Sequence, residues 1–193
     1  MEKTTLQPIK KTETVTRKFI GEFLVGDNIV KNAEALCRMH ANNNGALFNK
    51  LMLVQMGSIV EASLDQIFYR ARNHTVEGLP NIPEDERKKI AEKDVERFAT
   101  IIDVMKKHEL LDGLGADIYA ELHKFREYRN RVHIQLDNKP ENTPRREPEA
   151  FTTAVVEWSF KLGIEVLNFL TKRYPRPEHL GQYAHELTLP NTV

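Results

Sequence analysis

Four polar residues fall within one short stretch, IYAELHKFREYRNRVHIQL at 118–136: Arg126, Arg129, Asn130 and His133. Their types suit phosphate chemistry. A guanidinium stays charged and offers a planar fork to two oxygens at once. A carboxamide both donates and accepts hydrogen bonds, and an imidazole, with an ordinary pKa of about 6.5, exchanges a proton near neutrality. The spacing brings them together. On an α-helix Arg126, Asn130 and His133 stand four, three and seven positions apart, so all three project from one face. Ile118, Leu122, Phe125, Val132 and Leu136 form the neighbouring apolar stripe, with Arg129 inside it, and Lys124, Tyr128 and Arg131 are expected on the water side.

An arginine within an apolar stripe needs an anionic neighbour, and the segment 46–73 offers one. Its apolar residues wrap most of a helix, which predicts the central element of the fold. Its one polar strip is Ser58, Glu61 and Asp65. A carboxylate turned inward is expensive without a cation, so Glu61 is the expected partner of Arg129, with Ser58 beside it; the alternative is a solvated strip without a role. The plain readings of the other residues stand too. A histidine near a helix end commonly caps it or lies on the surface, and Arg129 can serve only as an ion-pair partner.

Around these two segments the chain reads as three parts: a loose arm at 1–14, a helical domain at 15–175 and an exposed tail at 176–193. Residues 15–25 fit either a helix or a strand. Asp27 is a good N-cap for a short helix carrying Val30, Ala33 and Cys37, closed by the asparagines and glycine at 42–45. The stretch 77–83, EGLPNIP, is a turn-rich linker, and Pro83 with the acids at 84–86 opens a third long helix that runs to Lys106, Lys107 and His108. Asp112, Gly113 and Gly115 separate it from the helix that begins at Ile118. Next comes a proline-broken loop at 138–148, NKPENTPRREP, whose Arg145 and Arg146 are candidates for contact with RNA. A last helix uses Phe151, Val155, Trp158, Leu162, Val166 and Phe169 before Pro175 and Pro177. The sum is an all-α fold, an antiparallel bundle of about five helices. The third and last helices carry wide apolar faces, which predicts a two-fold homodimer with the 118–136 helix near its axis.

Composition narrows the function. In 193 residues the formal net charge is zero, so nucleic acid would have to be held by a local patch. The lone Cys37 excludes a disulfide framework and a cysteine-based zinc site, and His179 and His185 are too isolated to make another metal site. No metal or other cofactor is expected. The polar start and the absence of a long apolar run predict a cytoplasmic protein that neither enters nor crosses a membrane. No glycine-rich phosphate loop or nucleophile elbow is present.

The motif FREYRNRVHIQ on a late helix of such a bundle resembles the HEPN superfamily, and the likeness extends over about residues 27–173. The resemblance implies a dimeric bundle whose motif is an arginine, four to six residues, then a histidine. It also implies metal-independent cleavage of RNA. His133 would carry the proton, Arg126 or Arg129 would stabilise the extra negative charge, and Asn130 would orient the phosphate or the imidazole. Arg126 leaves six residues before His133 but is followed by Glu127; Arg129 is followed by Asn130 but leaves only three, so both stay candidates. One histidine cannot easily act as base and acid, and a second copy supplies the other. The implied partners are a second copy, RNA, and an antitoxin or regulatory protein in a toxin–antitoxin or defence setting. Divergent members lose cleavage and persist as binding modules for nucleic acid, nucleotide or protein.

Overall fold

The segment whose apolar residues wrap all round becomes the central helix α2, Asn49–Asn73, and fourteen of its 25 residues are buried. Burial on that scale is its main support, since each fully buried large apolar side chain contributes about 1.5–3 kcal/mol. The computed structural model describes residues 12–15, 19–21, 24–73, 79–132, 144–179 and 184–191. The fold they form is all-α. Packed with α2 are α1 (Leu24–Ala41), α3 (Glu84–Ala91), α4 (Phe98–Lys107), α5 (Ile118–Asn130), α6 (Glu147–Ala150) and α7 (Thr153–Arg173). Five of these seven helices are ten residues or longer.

Named contacts set the helix directions. Asn32 on α1 accepts from Gln55 on α2 across a short connection, an antiparallel hairpin. Asn49 donates to the carbonyl of Phe151 at 2.8 Å, while Arg70, at the far end of α2, donates to that of Tyr174 at 2.7 Å, so α2 and α7 run in the same sense. Helix α5 opposes α7, with Tyr128 against Phe151 at one end and Phe169 beside Gly113 at the other. Helix α4 opposes α5 through Asp103–His123 and Met105–Tyr119. Small residues permit the closest approaches. A Cβ on Gly163 would lie 2.7 Å from the sulfur of Met56, so α7 meets α2 there almost backbone to side chain.

Two expectations from the sequence are corrected. The long third helix is broken at 92–97, where Ile90 and Val95 are five positions apart and the apolar stripe loses its helical period. Helix α3 folds back instead, with Arg87 on the carbonyl of Ala71 and Glu86 on His108 at the end of α4. The described part of the C-terminal segment is no exposed tail either. β2 (Leu187–Pro190) pairs antiparallel with β1 (Thr12–Val15), and Leu187 and Leu189 are buried. Their alternation supplies an apolar face for α1, and the Cys37 thiol donates to the Thr188 carbonyl at 3.2 Å. Phe19 and Ile20 are buried without being helical, followed by a bridge from Gly21 to Ala184. Asp27 sits inside the first turn of α1 and bonds His185 at 2.8 Å instead of capping the helix.

Candidate functional site

Ile118, Leu122 and Phe125 are buried along α5 as their spacing predicts, and the helix ends at Asn130 with Arg131 at its C-cap. His133 and Leu136 lie outside the described residues. Val132, expected in the core, is 45% exposed because it falls past the helix end. Tyr128, expected in water, is buried against Phe151 and Trp158, at ring separations of 6.1 and 5.8 Å. The reason is coverage from two sides: α2 and α7 both pack on α5, so its buried arc is wider than one stripe. Lys124 is exposed, with its ammonium 4.4 Å from the centre of the Trp158 ring. Arg131 is half-buried and donates to the carbonyls of Pro144, at 2.7 Å, and Arg145, at 3.1 Å.

Arg129 crosses α2 at its narrowest point. A Cβ on Gly57 would come within 2.7 Å of the Arg129 Cγ, so only glycine leaves room for the arginine stem. Beyond it the guanidinium forms an ion pair with Glu61 and donates to Asn130 Oδ1 at 3.1 Å. The pair is half-open, with the side chains of Arg129 and Glu61 31% and 20% exposed. Glu61 also takes a hydrogen bond from the backbone amide of Phe98, the first residue of α4, whose N-cap, Arg97, makes no side-chain cap. One carboxylate thus joins α2, α4 and α5, and satisfies an amide that the helix start leaves open.

Burial pushes the Glu61 carboxyl above the usual carboxylate range; Arg129 and the Phe98 amide draw it back only in part, and Asp65 adds to the rise. Geometry and titration pull in opposite directions here. The pair is well made, but desolvation of the carboxylate outweighs it, as is common for partly buried pairs. Asp65 is itself raised by burial, with Arg72 opposing. Ser58 donates to the carbonyl of Val54 at 3.0 Å, so its proton is used within its own helix.

Arg126 is held more loosely. Its side chain is 25% exposed, the nearest acid is Glu127 at 3.6 Å, and its buried Nε has no hydrogen-bond partner among the described residues. Arg145 and Arg146 are exposed, and Arg146 pairs with Glu149 at 3.3 Å. The grip of Arg131 on the Arg145 carbonyl brings this segment to the C-terminal end of α5. Arg126, Arg129, Asn130, Arg145 and Arg146 therefore gather at one end of the bundle. The residues that sequence reasoning missed are Arg131, which ties the two segments, and the Phe98 amide. Arg131 was readable only as a third arginine in a run, and nothing in the sequence places the amide.

Among the described residues no group of three or more His, Cys, Asp and Glu side chains could hold a metal, and no helix is long and apolar enough to cross a membrane. No protein-family model, curated protein or solved structure matches the chain.

Proposed function

We propose that the C-terminal end of α5 is a phosphate-binding face for RNA and that the protein is a HEPN-like, metal-independent endoribonuclease. The observation that carries this reading is the arginine arrangement. Arg129 is half-open beside Asn130, Arg126 is one turn back with an Nε that has no hydrogen-bond partner among the described residues, and Arg145 and Arg146 are drawn to the same end by Arg131. In a chain of zero net charge this is where a polyanion would be held. His133, three residues past Asn130, takes the proton of a ribose 2′-hydroxyl; the 2′-oxygen bonds to phosphorus as the bond to the 5′-oxygen breaks. A second imidazole, from a second copy, returns a proton to that oxygen. The arginines meet the charge that grows on the phosphate.

The homodimer is part of the proposal, and its support has moved. The apolar residues of α4 are buried within one chain, and α7 presents Glu157, Lys161, Glu165 and Asn168 outward, so neither helix asks for a second copy. Exposed Leu47, Leu51 and Val132 do, since all three lie at the end of the bundle that holds the arginines. One observation favours a second reading, a binding module without cleavage that docks RNA or an antitoxin-like or regulatory protein. Glu61 already neutralises Arg129. Incubation of the purified protein with single-stranded RNA in EDTA, beside His133→Ala, tests both. Cutting that persists in chelator and is lost in the variant is the expected result. Salt-dependent RNA binding without cutting selects the second reading, and neither binding nor cutting overturns both.

A further inference from the structure

The carboxylate of Glu61 occupies the place that an RNA phosphate would want. It accepts from the Arg129 guanidinium and from the Phe98 amide, two donors that suit a phosphate oxygen equally well. It is not sealed there: the side chains of the pair are 20% and 31% exposed, and Asn130, on the solvent side, touches the same guanidinium at 3.1 Å. We infer that Glu61 is a resident anion which an RNA phosphodiester displaces from Arg129, the carboxylate taking up one proton from solvent as it yields. This rests on the phosphate-binding reading of α5 and adds its regulation.

Three features make the exchange feasible. Glu61 is desolvated where it sits, and Asp65, one turn along α2, repels its charge, so its neutral form is reached more readily than that of an ordinary carboxyl. The charged and polar groups that face it are Arg129 and Asn130 from α5, the Phe98 amide from α4 and Asp65 from α2, with Arg72 beside Asp65. Only Arg129 among them is a cation that holds the carboxylate. The incoming phosphodiester stays a monoanion over this whole range and replaces that charge without a proton of its own. Arg126, whose one carboxylate contact among the described residues is at 3.6 Å, is close enough in sequence to share the same phosphate run. The consequence is a site that opens as pH falls and closes as pH rises.

The test is fluorescence anisotropy with a labelled single-stranded oligouridylate at fixed salt, between about pH 5.5 and 8, for the wild type and Glu61→Gln. Displacement linked to one proton lowers wild-type affinity by up to about tenfold per pH unit above the carboxyl pKa. The amide cannot compete as an anion, so Glu61→Gln is expected to bind at least about tenfold tighter at the alkaline end and to lose most of that slope. Calorimetry of the wild type in buffers of different ionisation enthalpy counts the proton directly and does not depend on the variant folding. Identical profiles for the two proteins, with no proton taken up, overturn the displacement and leave the phosphate site standing. Failure of both proteins to bind at any pH overturns both.

Discussion

Two arginines grip α2, Arg70 near its C-terminal end and Arg129 at its middle, and they do so in different ways. Arg70 is fully buried, donates to the carbonyls of Tyr174 at 2.7 Å and Pro175 at 3.3 Å, and lies over the ring of Phe19. Those carbonyls follow the end of α7, where backbone acceptors have no helical partner. Arg129 is 31% exposed and reaches a carboxylate that burial has made easier to protonate. The first contact has fixed partners and no route to solvent, which is the condition of a structural arginine. The second has a partner that can change charge and a face open to a ligand. The proposed phosphate chemistry belongs at the second contact and rigidity at the first.

The comparison breaks most visibly at Arg70. Arg70→Ala strips one buried and one partly buried carbonyl of a charged donor and empties a large volume, so a loss on the order of 3 kcal/mol or more is expected in urea unfolding. A variant that unfolds like the wild type would show that this contact carries no more weight than the other. Gly57→Ala comes next. Its new methyl meets Arg129 Cγ at 2.7 Å, and a loss of about 1–3 kcal/mol is expected, together with weaker RNA binding because the guanidinium is pushed aside.

Glu61→Ala should cost only about 1 kcal/mol, since both members of its pair reach solvent and Arg129 can hydrate once freed. The pH dependence sharpens this. A carboxyl raised in the fold contributes stability that is fully present below its unfolded pKa and is lost as pH rises through the folded value. Wild type and Glu61→Gln should therefore be closest in stability below the ordinary value of 4.5, and the wild type should fall behind as pH climbs above it. A wild type that instead gains on the variant with rising pH would mean that the pair outweighs burial. The smallest effect is expected at Arg126. Arg126→Ala should change stability by about 0.5 kcal/mol or less while reducing RNA affinity, and Arg126→Lys should restore little of that affinity because the planar fork is gone.

Much of this layout was legible in the sequence. The wrap of apolar residues on 46–73 revealed the central helix, observed at Asn49–Asn73, and a lone polar strip opposite an arginine in an apolar stripe revealed the meeting of Glu61 with Arg129. Both signals are local periodicities, which a sequence carries in full. What was illegible depends on segments far apart in the chain. Tyr128 is buried because α7 covers a second side of α5, and Leu187 and Leu189 are buried because β1 and α1 come to meet them. The link from Arg131 to Arg145, and that from Glu61 to the start of α4, join partners with no shared pattern. His133 lies outside the described residues, so its part in the site is still carried by its spacing from Asn130.

The salt dependence of RNA binding tests the phosphate face most directly. For a single-stranded oligomer the logarithm of affinity should fall linearly with the logarithm of salt, with a slope of about 0.7 for each phosphate neutralised. Removing Arg126, Arg145 and Arg146 together should lower that slope by about two in all while the protein stays folded, whereas Lys172→Ala, at the opposite end of α7, should leave it unchanged. Equal slopes for the wild type and the triple variant would contradict the account, because the arginines at the end of α5 would then touch no phosphate.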